Sequence, residues 1–429
     1  MIIPGSGDTF YCCNCFRDSL YAQALHNAGC YITIMPLYLP LANESVYNKT
    51  PLFFPATSYY VDQKYFAKWK MPRVFENVLN SPSILRLAAS LSGTTSAKGM
   101  EQLTLSMIKG DDEVFAKQTN KIIHWIENHA KPDIILLSTS MLIGIAKAIK
   151  NHIHIPIVCS LQDEEVWLDG LESRCAREAW ESIGKNEIYV DRFITSSEYY
   201  KSVVLSKIPE IKEIDVVYPG VNREKYQTQE YPKDPTIGFY YRMDYENGLD
   251  ILAESFIALK KENVISNLKL KIGGGYTREN KKFVHSIQKK LQLLKNDVIW
   301  SERYSLDEHT TFYKDISIIC APLRCNAAFG LYLSEAFAAG RPAVVPDTGS
   351  FGEITETAGI LYKPNASEYL TEALRKILTD NVLYENCKKH ALQLSCEKYN
   401  DTSVAEKLMK IMNVAILKNS LKSGKETIY

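Results

Sequence analysis

The stretch that most constrains this chain runs from Ile318 to Glu353, IICAPLRCNAAFGLYLSEAFAAGRPAVVPDTGSFGE. Ile318-Ile319-Cys320-Ala321 is an apolar run that stops at Pro322 and predicts a buried strand. Leu331 to Ala339 has helical spacing, Gly340 and Pro342 punctuate, and Ala343-Val344-Val345 predicts a second strand. Together they make a βαβ unit whose helix opens at Phe329-Gly330-Leu331. A helix N-terminus beside the carboxyl end of a parallel strand presents unpaired N–H groups and a positive dipole end, which suits a phosphate. Glu335 lies about one turn inside that helix. From there a carboxylate can accept hydrogen bonds from a pair of sugar hydroxyls, so the segment has the outline of a nucleotide site.

The segment AFGLYLSEAFAAGRPAVV resembles the donor-site segment of retaining glycosyltransferases of family 4, which have the GT-B fold. That segment has a Glu, seven residues and a second Glu, with Phe-Gly-Leu between. The resemblance implies that the amides of Phe329, Gly330 and Leu331 hold a diphosphate and that Glu335 binds the nucleotide ribose. The first Glu of the pattern falls on Ala327, so one donor-facing carboxylate is replaced. The family also places an Arg and, five residues later, a Lys at the first strand–helix turn of its second domain. Here FYYRMDYENGLDIL supplies Arg242 but has Asn247 in the Lys position. Arg242 can hold phosphate bidentately, whereas Asn247 can donate a hydrogen bond but carries no charge. Glu353 matches a family segment beside the donor site.

With 50 Lys+Arg against 50 Asp+Glu the chain has no net charge, and nucleic-acid binding has no electrostatic support. Its 429 residues suit two or three domains. No apolar run approaches membrane-span length and no signal peptide is expected, which with ten scattered cysteines predicts a reduced, cytoplasmic protein. Cys12 and Cys15 have C-x-x-C spacing in YCCNC but lack a second pair at finger-like spacing, so metal-free thiols are expected.

Met1-Ile2-Ile3 followed by Pro4-Gly5-Ser6-Gly7, a helix from Phe16 to Asn27 and a strand from Tyr31 to Met35 predict a first βαβ unit. Gly5 and Gly7 would let backbone approach a donor at an inter-domain cleft. Residues 38–108, rich in aromatic residues and proline, break the rhythm and are expected to be an insertion, lid or acceptor surface that allows peripheral membrane contact. Helices at Val114–His129, Met141–Asn151 and Arg177–Val190 then alternate with strands at Asp133–Leu137, Ile155–Ser160 and Arg192–Thr195. Gln162-Asp163-Glu164-Glu165 sits at the carboxyl end of one of these strands, where open α/β sheets place ligands, and makes Asp163 a catalytic candidate.

The second half alternates from strand Thr236–Tyr240 to helix Ala366–Leu378. It includes Gly273-Gly274-Gly275 after a strand, where Gly274 would allow close approach to a donor. Ser403-x-x-Glu406 predicts a capping box for a last helix ending near Leu417, with an irregular polar tail after it. The expectation is α/β: two Rossmann-like, doubly wound domains facing a cleft. They comprise an acceptor domain at 1–215, a nucleotide-sugar domain at 216–395, and a crossover helix and tail at 396–429 that return to the first domain.

The implied activity is metal-independent, cofactor-free transfer of a sugar from a nucleotide sugar to a glycan or lipid-linked acceptor. Arg242, Glu335 and Asp163 are the catalytic candidates. Gly5, Gly7, Asn247, Gly274, Phe329, Gly330, Leu331 and Glu353 are the donor-binding ones. The replacements at Asn247 and Ala327 keep a second reading open, a non-catalytic glycosyltransferase-like binding protein. Base, sugar, acceptor and oligomeric state are not set by the sequence.

Overall fold

The computed structural model describes residues 1–4, 13–37, 97, 99–226, 231–301 and 306–423. Gly5, Gly7, Cys12, residues 424–429 and most of the 38–108 segment lie outside the described residues, as do the side chains of Cys13 and Cys15. The chain forms two compact units. Met1–Ser196, Tyr200–Val217 and Ala405–Tyr429 make the first; Ser197–Tyr199 and Tyr218–Val404 make the second.

The first unit is built on a parallel sheet in the order β1 (Ile2–Ile3), β2 (Ile135–Leu137), β3 (Ile157–Leu161), β4 (Arg192–Thr195) and β5 (Ile214–Val216). β2 and β3 are buried along their whole length, which is why they consist almost entirely of Ile, Leu and Val. The expected strand at Tyr31–Met35 is reduced to a single bridge between Ile34 and Ile2, because a two-residue β1 offers almost no ladder to pair with. Even so, that bridge puts the second chain segment outside β1. The reversal of strand order, and with it the usual ligand position, falls between β1 and β2.

Helices α1 (Cys13–Asn27), α2 (Glu101–Lys109), α3 (Glu113–Trp125), α4 (Ile143–His152), α5 (Glu164–Leu168), α6 (Ser173–Asn186) and α7 (Glu198–Lys207) follow in chain order. α2 corrects the reading of 38–108 as insertion throughout: its last part is a regular helix that buries Leu105, Met107 and Ile108. α3 begins where Asp112 accepts the Phe115 N–H at 2.7 Å.

The second unit has a six-stranded parallel sheet. Its strands are β6 (Thr236–Tyr240), β7 (Lys269–Gly273), β8 (Val298–Ser301), β9 (Ile318–Cys320), β10 (Ala343–Pro346) and β11 (Gly359–Tyr362). The spatial order is β8-β7-β6-β9-β10-β11, the doubly wound order of dinucleotide-type domains. Its helices are α8 (Arg223–Tyr226), α9 (Leu249–Glu262), α10 (Lys281–Lys290), α11 (Leu306–Lys314), α12 (Leu331–Ala338), α13 (Phe351–Thr355), α14 (Ser367–Thr379) and α15 (Asn381–Glu397). α9 shows why they cover the sheet: Leu249, Leu252, Ala253, Phe256 and Leu259 recur at helical spacing and are buried against Phe239 and Ile272.

A last helix, α16 (Asp401–Ser423), is longer than expected and is not capped by Ser403. Asn400 is the cap, accepting the Ser403 N–H at 2.8 Å. Asn begins helices as readily as Ser and sits one residue before the first turn, so the capping-box reading was displaced by three positions. Lys418 to Ser423, expected to be irregular, are helical. Residues 405–423 cluster with the first unit, where Asn419 accepts from Lys150 at 2.7 Å and donates to the His154 carbonyl at 2.8 Å. This is the expected return of the C-terminal helix.

Candidate functional site

In the second sheet the strand order reverses between β6 and β9, so the crevice for a ligand lies outside the carboxyl ends of those two strands. Two turns meet there: 241–248, leading to α9, and 321–330, leading to α12.

Asp244 organises the first turn. Its carboxylate accepts Arg242 Nε at 2.6 Å and the Asn247 N–H at 2.9 Å. Asn247 Nδ2 donates to the Arg242 carbonyl at 2.9 Å. Asn247 is only 4% exposed, so its amide closes the turn rather than facing solvent. Arg242 is partly exposed, with Asp244 holding one edge of the guanidinium. Gly248 adopts φ +71°, and a Cβ there would fall 1.9 Å from the Pro322 carbonyl oxygen. Only glycine lets the two turns approach this closely. Arg324 adds a second tie: it donates to both Asp250 oxygens at 2.9 and 2.7 Å, its N–H reaches the Glu246 carbonyl at 2.8 Å, and its guanidinium lies 3.7 Å over the Tyr245 ring. Gly274, at φ +107°, allows the turn after β7 to pass alongside, where the Gly275 carbonyl accepts the Met243 N–H at 2.8 Å.

The second turn delivers Phe329-Gly330-Leu331 to the start of α12, as the sequence predicts. Gly330 is the N-cap and, being glycine, offers no side-chain cap to the first turn. Phe329 is buried, its ring 6.4 Å from that of Tyr218 and 6.0 Å from that of Tyr399, so its side chain packs while its backbone stays at the turn.

The carboxylates of this unit behave differently from the expectation. Glu335 is 2% exposed, with Oε1 accepting from the Tyr226 hydroxyl at 2.8 Å and Oε2 from the Tyr313 hydroxyl at 2.6 Å. Burial, with the Glu335 charge beside it, raises the Tyr313 phenol well above its ordinary pKa, so it remains a donor. A ribose would reach Glu335 only in exchange for one of these phenols. Glu353 accepts the Glu198 N–H at 2.7 Å, the Tyr199 N–H at 2.9 Å and the Tyr218 hydroxyl at 2.8 Å, all within the second unit. Its observed partners are therefore protein amides and a phenol.

Asp163 lies in the first unit, at the carboxyl end of β3, and takes φ +57°, unusual for a residue with a side chain. Gln162 Nε2 lies 3.3 Å from its Oδ2. Beside it is a buried polar group in which Arg17, Asp18 and Tyr200, not singled out in the sequence, join the cluster at 162–165 that was. Arg17 binds Asp18 at 2.8 Å, the Ser138 carbonyl at 2.7 Å and Gln162 at 3.2 Å, while Glu164 and Glu165 both meet Tyr200. The adjacent opposite charges Arg17-Asp18 early in α1 were the available signal for the first of these. Asp244, Tyr226 and Tyr313 were also missed, because their partners are far away in sequence or hidden in an ordinary polar turn. Among the described residues no three His, Cys, Asp or Glu side chains are grouped to hold a metal.

The class defined by two parallel-sheet α/β units of this kind is the GT-B fold. Sucrose-phosphate synthase from Thermosynechococcus elongatus superposes with a TM-score of 0.68 at 13% identity, covering 99% of this chain and 100% of that one. HepE from Anabaena in complex with UDP gives 0.65 at 13%, covering 96% and 99%. More particularly, residues 221–394 match the family model of glycosyl transferases group 1, which places that domain on the second unit. A lipopolysaccharide 1,2-N-acetylglucosaminetransferase of Salmonella typhimurium is 24% identical over 238 residues, 52% of this chain and 61% of the relative. The chain thus spans less than two thirds of that curated relative.

Proposed function

We propose that the chain is a retaining glycosyltransferase of family 4 that moves a sugar from a nucleoside-diphosphate donor to a glycan or lipid-linked acceptor. The observation that carries this reading is the glycine-led start of α12 at the strand-order reversal, with Arg242 on the adjoining turn. Transfer leaves a diphosphate, whose growing charge needs donors already in place. The Phe329, Gly330 and Leu331 amides and the Arg242 guanidinium supply them without a metal. Gly274 gives the donor close backbone approach. Glu335 binds the ribose by exchanging the Tyr226 phenol for a sugar hydroxyl, and Asp163 acts on the acceptor side. Relatives and neighbours carry related names: the Salmonella protein acts on lipopolysaccharide, and HepE is described with UDP and glucose. No helix among the described residues is long and apolar enough to cross a membrane, so a lipid-linked acceptor would be met at a membrane surface.

The test is titration of UDP, GDP and ADP against the melting temperature. One of them is expected to stabilise the protein, and Arg242→Ala is expected to weaken that binding about ten- to a hundred-fold, the value of a charge-assisted hydrogen bond. No stabilisation at millimolar nucleotide would sink the donor site. One observation favours a second reading. The residue replacing the family's Lys is sealed inside its own turn, and Asp244 offsets Arg242, so the diphosphate site has one cation fewer. Nucleotide binding without transfer to any glycan acceptor would establish that non-catalytic reading.

A further inference from the structure

Tyr200 lies in the first unit within hydrogen-bonding distance of two carboxylates, Glu164 Oε2 at 2.8 Å and Glu165 Oε2 at 2.6 Å. Its oxygen also accepts the Glu164 N–H at 2.7 Å. A phenol has one proton to give and two lone pairs to receive. With both carboxylates ionised, one of them would face a phenol lone pair across less than 3 Å. One added proton satisfies every contact: the Glu164 N–H and a Glu165 O–H donate to Tyr200, and Tyr200 donates to Glu164. Glu164 is suited to be the anion, since its other oxygen accepts from Thr139 Oγ1 at 2.9 Å and the Ser140 N–H at 3.2 Å, and Arg17 acts on it.

We infer that Glu165 is a positioning residue that keeps a proton up to about neutral pH and, by giving it to Tyr200, holds residues 163–168 against α7 at the carboxyl end of β3. The inference rests on the proposed function only in giving Asp163 an acceptor-side task. The proton itself follows from the geometry. Burial pushes Glu165 up to about 7, with Tyr200 opposing and the Asp163 and Glu164 charges adding. Among the described residues no cation forms an ion pair with Glu165. α6 sends Trp180 to Asp169, Lys207 of α7 also binds Asp169, and α2 contributes neutral Thr104 to Trp167.

Because the folded protein keeps this proton after the unfolded chain has released it, the stability it contributes is complete below about 4.5. It is lost progressively as pH rises to about 7 and is unchanged beyond. The experiment compares the wild type with Glu165→Gln, whose carboxamide supplies an N–H donor in place of that O–H at every pH. The melting temperature of the wild type, relative to Glu165→Gln, is expected to fall between pH 4.5 and 7 and then level off. Hydrogen exchange of residues 163–168 should speed up above pH 7 in the wild type only. Parallel melting curves for the two proteins, with equal protection of 163–168, would overturn the inference. If Glu165→Gln does not fold, infrared titration of the wild type decides. A protonated-carboxyl band that disappears with a midpoint near 7 supports the assignment, and one already gone at the ordinary carboxyl pKa of about 4.3 refutes it. Neither readout uses nucleotide, so a failed donor site and a failed proton assignment remain separate results.

Discussion

The two units bury carboxylates in opposite ways. In the second, Glu335 and Glu353 are each surrounded by neutral donors, phenols for one and backbone amides with a phenol for the other. In the first, Glu164 and Glu165 compete for a single phenol, and the arrangement is complete only with one of them neutral. At Glu165 the charge state follows from burial together with the donors within reach, not from residue type alone. The second unit accordingly holds both carboxylates with protein donors near its backbone amides. The first offers a group whose hydrogen bonding changes near neutral pH.

Replacing the buried carboxylates tests this contrast most strongly. Glu335→Ala should cost about 3–5 kcal/mol of folding stability, from a cavity and two phenols left without an acceptor. Glu335→Gln should cost about 1.5–3 kcal/mol, the worth of hydrogen bonds to a charged group. Glu165→Gln at pH 4.5, where the wild type holds its proton, should stay within about 0.5 kcal/mol. Urea denaturation of the three variants gives the ranking, and equal losses for the two Gln variants would erase the distinction between the units.

Asn247→Lys should have a smaller effect of mixed sign. Loss of the bond to the Arg242 carbonyl costs about 1 kcal/mol of stability. The added charge beside Asp244 should tighten nucleoside-diphosphate binding about ten-fold. Calorimetric titration with UDP measures it, and a variant that binds no better would mean that the turn cannot release its side chain toward a ligand. The smallest expected effect is that of chelation. EDTA should leave both nucleotide binding and any transfer unchanged, and loss of either, restored by Mn²⁺ or Mg²⁺, would show that amides and Arg242 do not suffice.

The second unit was the more legible in sequence. Thr236–Tyr240 and Leu306–Lys314 are a strand and a helix with the expected bounds, and Leu331 begins α12 as its spacing implies. Pro235 marks the start of that strand and Gly330 the start of α12, so local pattern and tertiary burial agree there. β5 and β11 went unread as strands because three or four residues between turns carry too little pattern, and Tyr31–Met35 failed because its partner strand is two residues long. Within the site, Phe329-Gly330-Leu331 was readable because a helix start is a local event. The surroundings of Glu335 were not, since Tyr226 and Tyr313 are 109 and 22 residues away in the chain. The role of Asn247 was half legible. Its missing charge is visible in sequence, but its use in closing the turn depends on Asp244 and on the approach of Pro322 to Gly248.

The return of residues 405–423 to the first unit has a consequence for biosynthesis. Domains ordinarily fold as they emerge from the ribosome, the N-terminal one first. Here the first unit lacks Asn419, the partner of Lys150 and of the His154 carbonyl, until the whole second unit has been translated. At roughly 5–20 residues per second, a delay on the order of 10–40 s separates the two parts. During that interval the nascent first unit is short of a helix that packs on it. It is therefore the part of the newborn chain most in need of a chaperone, although its sequence is made first.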